Sequence, residues 1–254
     1  MKRSLMSAPV CAAALALLLG AEQRASAAFV VITATDAGAG PGQPRPLADA
    51  AAASYDAAAG ALGTTSLFTF EGLPVGNFTT LAVAPGVSVT LTNSDPSSTP
   101  AGIRNEAGSV TLGYNTTAGG SQYLRVSPLL GLQPVSATFN FAQPVNAFGA
   151  YFTGVGTAST STVHLLLNDG TARDVIITGA PTGGATFFGF TDAGASISSL
   201  VIQEVPGGNG IDIFGIDDVR YTTAAAVPEP GSITLLGLGV VGLAGYGWRR
   251  RKAD

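Results

Sequence analysis

The sequence predicts a mainly β protein, an antiparallel β-sandwich, with one short N-terminal helix and one C-terminal transmembrane helix. Three observations predict it. From Ser66 to Thr222, short runs of alternating apolar and polar residues recur roughly every ten residues. They are broken by Gly, Pro, Asn and Asp with no helical period between them, the pattern of antiparallel sheets packed face to face. Only 11% of the residues are charged and 34 are glycine, which suits one β-rich domain with terminal extras. A chain of 254 residues is long enough for one sizeable core.

Residues 1–28 read as a secretory signal peptide. Lys2 and Arg3 supply the positive start, "CAAALALLLG" the apolar run, and Ala25-Ser26-Ala27 the small-residue cleavage pattern. Cleavage at Ala27 or Ala28 is expected, through the Sec export machinery. Cys11, the single cysteine, precedes most of the leucines, so a lipoprotein signal fits poorly. The exported domain therefore has no thiol, no disulfide and no cysteine-held metal.

Residues 29–65 contain a strand, a linker and a helix. "FVVITAT" is a β-branched strand, and "DAGAGPGQPRP" is a connector with turn residues at nearly every position. "LADAAAASYDAAA", residues 47–59, is alanine-dominated, led in by Pro46 and closed by Gly60. It is expected to pack against an edge of the sheet.

Residues 66–223 form the sandwich. Ten strands are expected: "SLFTFEG", "VSVTLTN", "YLRVS", "SATFNF", "NAFGAYF", "TVHLLLN", "RDVIITG", "ATFFGFT", "ISSLVIQ" and "DIFGIDDVRYT". The clearest local unit is a hairpin of "TVHLLLN" with "RDVIITG", for which Asn168-Asp169-Gly170 supplies the turn.

Several functions are disfavoured by what the chain lacks. Between residues 28 and 230 five arginines stand against fourteen carboxylates, a net of −9, so no nucleic-acid partner is expected. One histidine and no mature cysteine exclude a histidine-rich zinc site. No G-x-S-x-G elbow occurs, and His164, set in a strand, reads as structural. "TGVGTAST" and "VPGGNG" lack the lysine and helix that a phosphate loop needs. Asn77-Phe78-Thr79 and Asn115-Thr116-Thr117 match an N-glycosylation pattern common by chance in Thr-rich sequence. The chain is expected not to be an enzyme.

One acidic constellation remains, Glu71 in "FTFEG" with Asp217 and Asp218 in "FGIDDVRY". First and last strands of such a sandwich often lie side by side, which would bring these carboxylates together. Clustered carboxylates raise one another's pKa unless a cation neutralises them, and Ca²⁺ binds about six to eight oxygens. A structural calcium at Glu71, Asp217 and Asp218 is one expectation; a turn cap or a pair with Arg220 is the other. As glycosidase acids, adjacent Asp217 and Asp218 would point to opposite faces of a strand, so only Glu71 with one of them could serve. Tyr114, Tyr123 and Tyr151 could stack on sugar rings or belong to the core.

The C-terminus carries a second address. Ile233 to Trp248 is an apolar run of 16 residues, at the short edge of the about 17–25 needed to cross a membrane. Tyr246 and Trp248 suit an interface, and Arg249, Arg250, Arg251 and Lys252 hold that end in the cytoplasm. Such a tail is a permanent anchor or a sorting signal. Val227-Pro228-Glu229-Pro230-Gly231, extended and helix-resistant, stands just before the span, where a protease would cut.

Val227 to Gly231, the short span and the basic end together resemble the PEP-CTERM sorting signal of Gram-negative bacteria, over residues 227–254. The resemblance implies recognition by an exosortase, a membrane-embedded cysteine protease. It further implies transient inner-membrane anchoring, removal of the tail and delivery to the cell surface or extracellular matrix, in association with exopolysaccharide and biofilm. "FTFEGLP", "FNFAQPVNAFGAYF", "FFGF" and "FGIDDVRY" resemble, in that order, the jelly-roll-like β-sandwich found ahead of many such tails. The same "FE" and "IDD" segments are similar to those of carbohydrate-binding jelly rolls that hold a structural calcium, which makes a calcium-stabilised carbohydrate-binding module the alternative reading and an extracellular glycoside hydrolase a further one.

Overall fold

"SATFNF" and "NAFGAYF", expected as two strands, are one. β7 runs unbroken from Val135 to Thr153, and both sheets are built on it. Pro144 cannot donate to a ladder, and it sits where the strand passes from one sheet to the other. Residues 135–141 pair with β4 (Val87–Thr92) and with β11 (Ile197–Val205), whereas residues 145–153 pair with β10 (Gly184–Thr191) and β12 (Phe214–Ala224). The computed structural model describes residues 29–95, 100–129, 134–158, 162–168, 173–206 and 210–224, with 238–239 and 242–243. The signal-cleavage residues Ala27 and Ala28, the sorting residues Val227 to Gly231 and the basic cluster Arg249 to Lys252 lie outside the described residues. Among the described residues no helix is long and apolar enough to cross a membrane.

The remaining strands complete two antiparallel layers. One has the order β1-β10-β7-β12-β2, with β1 at Val30–Ala37 and β2 at Gly63–Phe68; β6 (Tyr123–Val126) and β5 (Gly102–Arg104) continue it beside the first residues of β12. The other has the order β9-β8-β11-β7-β4-β3, with β3 at Thr80–Ala84, β8 at Thr162–Asn168 and β9 at Asp174–Ile177. First and last strands of the sandwich do lie together, since Phe68 of β2 faces Val219 of β12. The expected hairpin pairs Val163 with Ile177 and Leu166 with Asp174; its turn lies outside the described residues. β3 and β5 are additional to the strands expected; β5, at three residues, is too short for a period of two to register.

Between the layers lies a core of aliphatic and phenylalanine side chains, including Phe139, Phe148, Phe152, Phe188, Phe190 and Phe214. A smaller core lies outside the first layer, under α1 (Pro46–Gly60), where Ala48, Ala51, Ala52, Tyr55 and Ala59 face Ala147, Tyr151 and Phe187. The 3–4-residue spacing of those five helical positions makes one apolar stripe. All of β10 is therefore buried, one face by the core and the other by the helix, which explains why "ATFFGFT" is apolar throughout rather than alternating.

Two glycines let the helix sit close. A Cβ at Gly189 would lie 2.6 Å from the Tyr55 ring, and one at Gly149 would lie 3.2 Å from it, so the phenol occupies a trough that only glycine leaves open. The helix start is held from the strand beneath it. Asp36 of β1 accepts the backbone N–H groups of Leu47 (3.3 Å) and Ala48 (2.8 Å), a cap supplied from outside the helix.

Candidate functional site

The loop from Tyr114 to Gln122 lies against all three carboxylates singled out in the sequence. Glu71 follows β2, and its Oε1 accepts the backbone N–H groups of Ser121 (2.8 Å) and Gln122 (2.7 Å) and the side-chain amide of Asn115 (3.0 Å). Asp217 Oδ2 accepts the same Asn115 amide (3.2 Å) and the N–H groups of Thr116 (2.7 Å) and Thr117 (3.2 Å). The Thr116 and Thr117 hydroxyls each lie 2.8 Å from Asp218, against 3.1 and 3.3 Å from Asp217. A hydroxyl has one proton to give, and distance assigns both protons to Asp218.

Asp217 and Asp218 do not point to opposite faces, as a regular strand would require. Asp217 faces Tyr151 and Arg220 faces Gly149, so two residues of β12 stand where β7 has only Ala150. This is a β-bulge, with Asp218 in the left-handed region at φ 48°. The extra residue turns Asp218 round, and both carboxylates reach the same two threonines. Neither flanks an open cleft, because the loop covers them: Asp217 is 0% and Asp218 7% exposed. Arg220 pairs with Asp56 (3.1 Å), while its guanidinium donates to the Asp218 carbonyl rather than to the carboxylate.

Burial first, and the Asp218 carboxylate second, push Asp217 up to about 7, against the hydrogen bond from the Thr116 N–H, which favours ionisation. Its other oxygen, Oδ1, is buried without a hydrogen-bond partner. The donor set bears on calcium in two ways. Three carboxylates do meet at one loop, and Oδ1 is a free acceptor; yet Glu71 Oε1 and Asp217 Oδ2 already face N–H groups, which repel a cation. Among the described residues no group of three or more His, Cys, Asp or Glu side chains is arranged to hold a metal.

On its other side the loop lines a polar cleft of ≈ 430 Å³, bounded by Gln43, Arg45, Asn105, Glu106, Thr117 and Ser121 among others. This volume is within the range of ligand sites. Arg45 donates to the Thr116 carbonyl (2.6 Å) and to Asp49 (2.9 Å), and it lies 4.8 Å over the Tyr151 ring. Glu106 is anchored by the buried guanidinium of Arg125. The cleft residues are polar loop positions without a motif, so sequence reading missed them. The one available signal was Asn115-Thr116-Thr117, whose side chains turn inward to the carboxylates instead of serving as a glycosylation site.

Of the two readings open for the tyrosines, sugar platform or core, the structure gives the core. Tyr114, Tyr123 and Tyr151 are 1%, 0% and 3% exposed, and Tyr151 donates to Asp49 (2.6 Å) beneath the helix. Tyr123 and Tyr151 stand in strand segments that are buried throughout, where an aromatic belongs to the core rather than to a displayed face.

A sequence model described as the PEP-CTERM protein-sorting motif matches residues 226–252. The chain thus carries this sorting signal, which implies an exported protein processed by an exosortase. No curated protein matches the chain. Among solved structures it has partial likeness to the K2 cleaved adhesin domain of Lys-gingipain, at 14% identity and TM-score 0.43, over 63% of this chain and 99% of that one. Another is the CBM22-1 xylan-binding domain of Paenibacillus barcinonensis Xyn10C, at 13% identity and TM-score 0.31, over 65% of this chain and 98% of that one.

Proposed function

We propose that this protein is an exported cargo that an exosortase releases from the inner membrane to the cell surface or extracellular matrix, where it associates with exopolysaccharide in a biofilm. The observation that carries this reading is the sorting motif over residues 226–252. Mass spectrometry of the secreted protein tests it. A C-terminus near Pro230 is the expected result, and an intact end at Asp254 would make the tail a permanent anchor instead.

A second reading concerns what the cargo holds. The ≈ 430 Å³ cleft is lined by amides, hydroxyls and two charged groups that are each already ion-paired, Glu106 with Arg125 and Arg45 with Asp49, which suits a neutral saccharide bound through hydrogen bonds. Hydrolysis there is disfavoured, since Glu106 is the one carboxylate among the lining residues and glycosidases work with two. Retention on the producer's own polysaccharide is expected to fall at least about tenfold in Asn105→Ala combined with Gln43→Ala, the loss of two hydrogen-bonding groups. Unchanged retention would remove the cleft from the account. A structural calcium beside Glu71, Asp217 and Asp218 is a separate proposal, supported by the unpartnered Asp217 Oδ1.

A further inference from the structure

Outside the cleft, on the β8–β9 hairpin, three side chains form a continuous hydrogen-bonded line. Val163, Leu165 and Leu167 point into the core, so Thr162, His164 and Leu166 face outward. Thr162 Oγ1 lies 2.8 Å from His164 Nε2, and His164 Nδ1 lies 2.7 Å from Asp174 Oδ1 across the hairpin. The carboxylate fixes the tautomer. Ionised Asp174 can only accept, so Nδ1 carries the proton of the neutral ring, and bare Nε2 must accept from the Thr162 hydroxyl. This is the connectivity of nucleophile, base and orienting acid.

We propose that Thr162, His164 and Asp174 act together as an esterolytic relay on short-chain carboxylic esters. Thr162 is the nucleophile, His164 the general base and Asp174 the positioning residue. Thr162 Oγ1 attacks the ester carbonyl carbon as its proton passes to His164 Nε2. The carbon–oxygen bond to the alcohol breaks, and the departing oxygen takes that proton from Nε2. Water then gives a proton to Nε2 and attacks the acyl carbon, and Thr162 Oγ1 leaves with the proton restored. The net reaction consumes one ester and one water and yields an acid and an alcohol.

The surroundings define the substrate. Gln203 of β11 stands directly opposite His164 in register, so its side-chain amide shares the outward face, a donor type that stabilises an oxyanion. The other outward neighbours on β8, β9 and β11, namely Leu166, Ile176, Val201 and Val205, carry no charge. Asp174 is half-exposed, and an open sheet face accepts a small acyl group carried on a large alcohol. This inference is independent of saccharide binding in the cleft.

Hydrolysis of p-nitrophenyl acetate by the purified exported protein tests the relay. The wild type is expected to give a burst of p-nitrophenolate and an acetyl group on Thr162, found by peptide mass spectrometry. Thr162→Val is expected to lose about 100-fold in rate with an unchanged Tm, a loss on the general acid–base scale, and Thr162→Ser should retain activity. Asp174→Asn is expected to lower kcat with KM unchanged, since the imidazole loses the carboxylate that fixes its tautomer. A Thr162→Val protein as fast as wild type, or acetyl found on His164 alone, would overturn the proposal, because a lone imidazole then accounts for the rate.

Discussion

Replacing Tyr55 by alanine is expected to lower the free energy of unfolding by about 3–5 kcal/mol, the range for deleting a buried aromatic ring. Tyr55 is fully buried and packs on Phe187 at a centroid distance of 5.6 Å. It is the one large side chain on the apolar stripe of α1, whose other members are alanines, so nothing on the helix replaces its contact. Gly189→Ala opposes the same ring from below and is expected to cost about 1–3 kcal/mol through overpacking. The two changes should couple. With the ring gone, the added methyl loses its closest clash and meets only the Gly149 Cα, at 3.2 Å, so the double variant should lose less than the sum of the singles. Denaturant unfolding of the four proteins measures this, and strict additivity would show that the trough over Gly149 and Gly189 does not seat the helix. A functional consequence follows, because Arg45 precedes the helix and lines the cleft. Loosening α1 should therefore weaken ligand retention even where the domain remains folded.

The elements read most surely from sequence were those with local chemistry. Pro46 and Gly60 bracket the helix at its observed bounds, and the alternation in "TVHLLLN" gave its buried and exposed positions. The meeting of Glu71 with Asp217 was legible from a topological rule alone. What joins them was not: a loop of Asn115, Thr116 and Thr117, about 100 residues from Asp217, presents no period or spacing to find. The bulge at Asp218 was hidden for a different reason. "IDDV" has the alternation of a regular strand, and only pairing with β7 reveals the extra residue. Thr162 escaped notice because the relay runs across the hairpin, with Asp174 ten positions from His164.

Asp217 supplies the second large effect, and its sign distinguishes two states of the site. Burial and Asp218 raise its pKa from 3.8 to about 7, so between those values the native state keeps a proton that the unfolded chain has lost. Stability then falls as pH rises through that window. At 1.36 kcal/mol per pH unit the interval corresponds to a loss on the order of 4 kcal/mol. Asp217→Asn keeps an acceptor for the Thr116 N–H and carries no charge, so this slope should vanish in the variant. The informative quantity is the stability of wild type minus that of Asp217→Asn from pH 4 to 8 in the presence of a chelator, which should decrease with pH. A calcium ion on Asp217 Oδ1 reverses every sign. Wild type would then gain on Asp217→Asn as pH rises, the chelator would lower its Tm, and added Ca²⁺ would restore it. A difference that is flat with pH and indifferent to chelator would exclude both the retained proton and the ion, leaving Asp217 ionised on the hydrogen bonds of the loop alone.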